Sequence, residues 1–204
     1  MEPRPIDRSG VDRALDVALG LSALGWSIQW LVASEGLSLG VRVPAASVNL
    51  VAGVLFLMRS GAKESTSATD LLSALPSLLA SGLAFRLAAR DWPAWAVIVH
   101  ALFAGWSVAS LATLGRSFAV LPSLRTLVDR GPYALVRHPV YLGEIGMIAT
   151  ACATRHLGLG AAAVAAGVAL VLPRIAAEER HLAHDPAHAA YRARVRHKLV
   201  PFVV

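Results

Sequence analysis

Long apolar runs separated by short polar intervals dominate this chain, and their lengths predict helices that cross a bilayer. A membrane-spanning helix needs about 20 apolar residues to traverse a hydrocarbon layer of about 30 Å. The runs at 14–33, 41–58, 71–89 and 93–114 reach or approach that length. Two shorter runs, 140–153 and 157–172, follow a polar interval and predict a tight helical hairpin, shallow or mismatched to the bilayer. The expected fold is all-α: a multi-pass transmembrane helical bundle of five to six membrane segments with a cytoplasmic C-terminal helix. That helix begins beyond Pro173, carries Arg174, Glu178, Glu179 and Arg180, and is ended or kinked by Pro186. Five spans plus a re-entrant piece is the alternative to six.

Composition agrees with a membrane rather than an aqueous surrounding. The chain is 56% hydrophobic and 16% charged, with a mean hydropathy of +0.58, which is too apolar for an ordinary soluble domain of this length. Basic residues collect in cytoplasmic loops. With the N-terminus inside and six crossings, only Arg42, Arg86, Arg90 and Arg155 fall outside, leaving fifteen of the 19 Lys and Arg inside. Both termini and the active site are therefore expected to face the cytosol. The net charge of +6 does not point to nucleic acid, because the arginines are spread over separate loops beside apolar spans. Membrane lipids with anionic headgroups, and an anionic cofactor, account for them better. The first run has the basic-then-apolar layout of a signal peptide but is long and lacks a convincing cleavage site, so it is expected to be a retained anchor. Cys152 is the lone cysteine, which leaves no intramolecular disulfide or cysteine-based metal site and suits a small packing residue.

The two halves differ in character. Residues 1–90 form apolar helices around the polar linker 60–70, with no chemical motif and a possible role in packing or substrate access. Asp16, Gln29 and Asn49 are expected to have structural roles there, such as interhelical hydrogen bonds. Residues 91–204 alternate apolar runs with clusters of Arg, His, Glu and Tyr, and the chemistry is concentrated in them. Within this half, the Ala-rich run 161–169 with Gly167 predicts close approach to a neighbouring helix, and His100 reads as a buried neutral histidine.

The most informative stretch is Gly131-Pro132-Tyr133-Ala134-Leu135-Val136-Arg137-His138-Pro139-Val140-Tyr141-Leu142-Gly143, which sets arginine, histidine and tyrosine between two apolar segments, where polar groups are usually functional. Leu114-Gly115-Arg116-Ser117-Phe118 precedes it. Arg174-Ile175, Glu178-Glu179, Leu182, Tyr191, Arg194-Val195 and Pro201-Phe202 follow in order. This ordered set resembles the isoprenylcysteine carboxyl methyltransferases and the related phospholipid methyltransferases, over nearly half of the chain. The resemblance implies a multi-pass membrane enzyme that binds S-adenosyl-L-methionine from the cytosol and methylates a lipophilic acceptor, either a small molecule or a lipid-modified one. Carried over by position, it implies cofactor contacts from Tyr133, His138, Pro139, Tyr141, Glu178 and Glu179, and places Arg194 near the methyl acceptor.

These residue types suit that chemistry. The cofactor's ammonium and ribose hydroxyls call for a carboxylate, which Glu178 or Glu179 supplies. Its carboxylate suits His138 and nearby backbone amides, helped if Pro139 opens a helix. Tyr133 and Tyr141 offer faces for adenine or the sulfonium. A carboxylate acceptor would be oriented by Arg194 or Arg137 through paired hydrogen bonds, whereas a thiol or ammonium acceptor needs a base such as His138 or a glutamate. Simpler readings stand beside these: Arg174 and Glu178 at i,i+4 form a solvated pair, and the run Arg192, Arg194, Arg196, His197, Lys198 attracts headgroups. Glu178, His181, His184 and His188 have helical spacing, but a second Glu-x-x-His is absent and Pro186 interrupts them, so no metal is expected. The competing function is an NADPH-dependent membrane sterol or enone reductase, which Tyr141-Leu142-Gly143-Glu144 and Leu199-Val200-Pro201-Phe202 also resemble. A non-enzymatic scaffold would leave the polar motif unexplained.

Overall fold

A computed structural model describes residues 9–32, 36–58, 89–115, 127–181 and 186–200. The described residues form α1 (Ser9–Val32), α2 (Leu39–Met58), α3 (Ala94–Leu114), a 3₁₀ turn (Gly131–Ala134), α4 (Pro139–Ala153), α5 (Leu157–His181) and α6 (Pro186–Arg194). The linker at 60–70, nearly all of the run at 71–89, and Arg86, Arg116, His184 and Phe202 lie outside them. The all-helical expectation holds among the described residues. Four helices are long and apolar enough to cross a membrane, namely Arg13–Val32, Leu39–Met58, Ala94–Leu114 and Leu157–Arg180, and α4 is a shorter apolar helix. Large apolar side chains such as Leu21, Ile28 and Leu102 point outward. A helix satisfies its own backbone hydrogen bonds, so an apolar outer face of this kind is at home in lipid.

The hairpin differs from expectation in one respect. The run at 157–172 does not stop there: α5 continues unbroken through Pro173 to His181. Membrane helices tolerate an internal proline because neighbouring groups satisfy the freed carbonyl. Pro186 lies beyond the described end of α5 at His181. It opens α6, at the position where a missing N–H leaves no acceptor unsatisfied. At about 1.5 Å per residue, α4 is about 22 Å long and α5 about 38 Å, so the end of α5 overhangs the start of α4. That overhang carries Glu178 and Glu179 alongside the segment that precedes α4, with Arg174 beside the first turn of α4 itself.

Helix approach depends on small residues, as it commonly does where apolar burial gives no advantage over lipid. Gly20 of α1 and Gly53 of α2 meet backbone to backbone: a β-carbon on either would lie 3.2 or 3.0 Å from the other's carbonyl oxygen. Ser27 Oγ donates to the Ala46 carbonyl across the same interface at 2.8 Å, and Arg42 Nε donates to the Trp30 carbonyl at the end of α1. Asn49 caps a carbonyl of its own helix, that of Ala45. Ala45, Ala104 and Met147 join α2, α3 and α4 in one core cluster. Gly167 faces Ile145 of α4, in line with the close approach expected of the Ala-rich run. His100 is fully buried in α3, edge-on to Trp92 with ring centroids 5.1 Å apart.

The α3–α4 contact is close at Gly143, which faces Ser107, and at Gly146, where an added β-carbon would fall against three ring carbons of Phe103. Gly105, two residues beyond Phe103 on α3, has no atom within 4 Å of the same position. Gly146→Ala should therefore lower the thermal unfolding midpoint of the detergent-purified protein, with overpacking of this kind costing about 1–3 kcal/mol. Gly105→Ala should leave the midpoint unchanged or raise it. Equal midpoints for the two variants would contradict the α3–α4 packing.

Candidate functional site

The site begins at the turn before α4. Gly131 has φ of +59°, a left-handed conformation open to glycine, and a β-carbon there would lie 3.1 Å from Thr113 Oγ1 at the end of α3. From there the 3₁₀ turn carries Tyr133 inward, where it is buried. The Tyr191 hydroxyl of α6 donates to the Tyr133 carbonyl at 2.8 Å, which ties α6 to the turn. Burial raises both phenols, Tyr191 to about 12, and the nearby Glu178 carboxylate raises Tyr133 further. Both therefore remain neutral hydroxyls near pH 7.

Arg137 is the hub. Its Nε donates to Glu179 Oε1 at 2.8 Å, and its Nη1 donates to the carbonyls of Val195 and Arg196 at 2.9 and 2.8 Å. The side chains of this ion pair are only 6% and 10% exposed. His138 lies on the same carboxylate, with Nε2 3.4 Å from Glu179 Oε1, and its Nδ1 is 3.7 Å from Glu178 Oε2. Lys198 Nζ approaches Glu179 Oε2 at 4.0 Å. Glu179 is thus engaged by arginine, histidine and lysine, whereas Glu178 is 34% exposed and meets His138 more loosely.

Pro139 is the first residue of α4, as anticipated, and its carbonyl accepts from Trp106 Nε1 at 2.9 Å. The amides of Arg137 and His138 donate to the carbonyls of His197 and Lys198, each at 2.9 Å. Tyr141 is also surrounded. His138 stacks on it with centroids 5.8 Å apart, the Arg174 guanidinium lies 5.0 Å from its ring centroid, and its hydroxyl sits against Glu178. Arg174 is therefore a buried partner of Tyr141, within electrostatic reach of Glu144, and not half of a solvated pair with Glu178.

Arg137, His138, Pro139, Tyr141, Glu178 and Glu179 come together in one place, with Tyr133 behind them. Arg194 does not join this group. It is exposed and pairs with Asp129 at the surface. Sequence reasoning missed the contributions of Arg174 to Tyr141, of Lys198 to Glu179, and of the carbonyls of residues 195–198. The position of Arg174 directly after an apolar run was the one available signal for its burial. Main-chain carbonyls have no side-chain signature at all. Among the described residues no group of three His, Cys, Asp or Glu is placed to hold a metal ion.

Residues 94–184 match the model of the isoprenylcysteine carboxyl methyltransferase (ICMT) family. The matched stretch contains α3, the 3₁₀ turn, α4 and α5, and so includes Tyr133, Arg137, His138, Tyr141 and both glutamates. The resemblance read from the ordered motifs holds over this stretch, in a protein with membrane-spanning helices. No curated protein matches the chain.

Removing one partner of a buried ion pair strands the other, at a cost of about 3–5 kcal/mol. Glu179→Ala should accordingly destabilise the detergent-purified protein far more than Glu178→Ala, as read by their thermal unfolding midpoints. Equal losses would mean that Arg137 does not depend on Glu179.

Proposed function

We propose that this chain is an integral membrane methyltransferase that uses S-adenosyl-L-methionine to methylate a lipophilic acceptor, a small molecule or a lipid-modified one, at the cytoplasmic boundary of the membrane. The observation that carries this reading is the gathering of His138, Tyr141, Glu178 and Glu179 around Arg137, inside the region matched by the family model. In this reading residues 91–204 are the catalytic region, residues 1–90 serve packing or substrate access, and both termini are cytoplasmic.

The donor set fits the cofactor's groups. Glu178 is the less engaged carboxylate, and it suits an ammonium or a pair of ribose hydroxyls. Glu179, fixed by Arg137 and His138, positions those two side chains. Bound S-adenosyl-L-methionine would supply an activated methyl group, which would pass in line to the acceptor's lone pair as its C–S bond breaks and S-adenosylhomocysteine leaves. The protein's part is then orientation and exclusion of water, worth about 7–11 kcal/mol of barrier in favourable cases. His138 holds its ring between a carboxylate and Tyr141, where it takes the proton of a thiol or ammonium acceptor. A carboxylate acceptor carries no proton to remove and needs only a cation beside it. Arg137 lies in the group, whereas Arg194 must leave Asp129 to serve.

The test is calorimetry on the detergent-purified protein with S-adenosylhomocysteine and, separately, NADPH. The expected result is micromolar binding of S-adenosylhomocysteine, weakened about tenfold or more by His138→Ala and by Glu178→Ala, the loss that follows from removing a charge-assisted hydrogen bond. Binding of NADPH without S-adenosylhomocysteine would assign the protein to the reductases and overturn the proposal.

A further inference from the structure

A feature of α6 borders the group around Glu178 and shares Arg137 with it. Arg137, Ala189, Arg192, Ala193 and Arg196 line an open cleft of about 420 Å³. Ala189 and Ala193 are one helix turn apart, so their methyl groups form a low floor. Arg192 and Arg196, also four apart, stand beside that floor, and both are exposed. The other nearby cations have carboxylate partners: Arg137 pairs with Glu179, Arg194 with Asp129, and Lys198 approaches Glu179. Among the described residues no carboxylate forms an ion pair with Arg192 or Arg196. The hydrogen bonds of Arg137 run through Nε and Nη1, so the Nη2 edge of its guanidinium lies outside them.

Three guanidinium groups around a shallow, small-residue floor suit one kind of ligand, a compact anion with several acceptor oxygens. Arginine forks match phosphate in this way. The volume exceeds what a bare ion needs, since a water occupies about 30 Å³ in the liquid. The cleft also lies at the end of the bundle where α5 leaves its apolar run, the level at which headgroups lie. We propose that this cleft docks the phosphate of an anionic phospholipid headgroup, with Arg192 and Arg196 as its outer cations and Arg137 as its inner wall. This inference is independent of the methyltransferase reading, because it requires neither a methyl donor nor an acceptor.

The experiment titrates the full-length detergent-purified protein with short-chain phosphatidylglycerol, short-chain phosphatidylcholine and inorganic phosphate, and follows binding by calorimetry. Wild type is compared with the double variant Arg192→Gln/Arg196→Gln and with Arg155→Gln/Arg180→Gln. The second pair is also exposed, removes the same charge, and lies outside the cleft. Circular dichroism confirms that both variants keep their helices. The expected result is binding of phosphatidylglycerol well above that of phosphatidylcholine, weakened about tenfold or more by the cleft variant and less than twofold by the other, at about 1 kcal/mol per interfacial arginine. Equal weakening by both variants would reduce the effect to general surface charge. Inorganic phosphate binding as tightly as the lipid would make the cleft a free-anion site. Displacement of the lipid by S-adenosylhomocysteine would give the cleft to that ligand's carboxylate. Each of these three outcomes overturns the proposal.

Discussion

A buried guanidinium organises the second half of this protein. Taking a charge out of water costs several kcal/mol unless its attraction to a counter-charge and its hydrogen bonds compensate. Arg137 meets that condition with one carboxylate from α5 and two main-chain carbonyls from residues after α6. Because those carbonyls belong to Val195 and Arg196, burying Arg137 obliges the chain beyond α6 to return to the start of α4. The same return brings the His197 and Lys198 carbonyls onto the Arg137 and His138 amides, and Leu199 into a core cluster with Ile145, Val171 and Ile175. One side chain thereby links α4, α5 and the C-terminal segment.

The geometry around that hub follows from the unequal hairpin. If α5 matched α4 in length, its charged end would lie level with Pro139. Its continuation through Pro173 instead carries Glu178 and Glu179 past that level, to the height of Arg137 and His138. The glycines make the arrangement compact. Close α3–α4 approach at Gly143 and Gly146 keeps Trp106 within 2.9 Å of the Pro139 carbonyl, so the first turn of α4 is held from the α3 side as well. Two adjacent glutamates consequently have different surroundings. Successive residues on a helix are about 100° apart, and only Glu179 faces the guanidinium squarely.

Much of this was legible in the sequence. Uninterrupted apolar length marked α1, α2 and α3, because a helix must bridge a fixed thickness of hydrocarbon. The polar residues that meet around Arg137 were marked by their order along the chain. Pro173 misled, since a proline that would break a helix in water is accommodated among packed helices. Arg174 misled for a related reason: i,i+4 spacing from Glu178 suggested a surface pair, but an arginine just below the polar end of a span gains more by lying over an aromatic ring such as Tyr141. The carbonyl partners of Arg137 could not be read at all, because they depend on the path of the backbone.

The length of α4 also bears on where the proposed chemistry occurs. At about 22 Å it falls about 8 Å short of a hydrocarbon layer of about 30 Å. Arg155 and His156, exposed at the hairpin turn, belong at one interface. With the turn placed there, Pro139 lies below the opposite headgroup level, and so do Tyr141 and Glu144. Charges at that depth require partners, and they have them: Arg174 lies over Tyr141 within reach of Glu144. Glu178, higher on α5, is a partly exposed member of the same group. In the methyltransferase reading this depth lets a water-soluble cofactor and a lipid-borne acceptor meet without either crossing the boundary. The paired charges keep the meeting point polar enough for the first and shallow enough for the second.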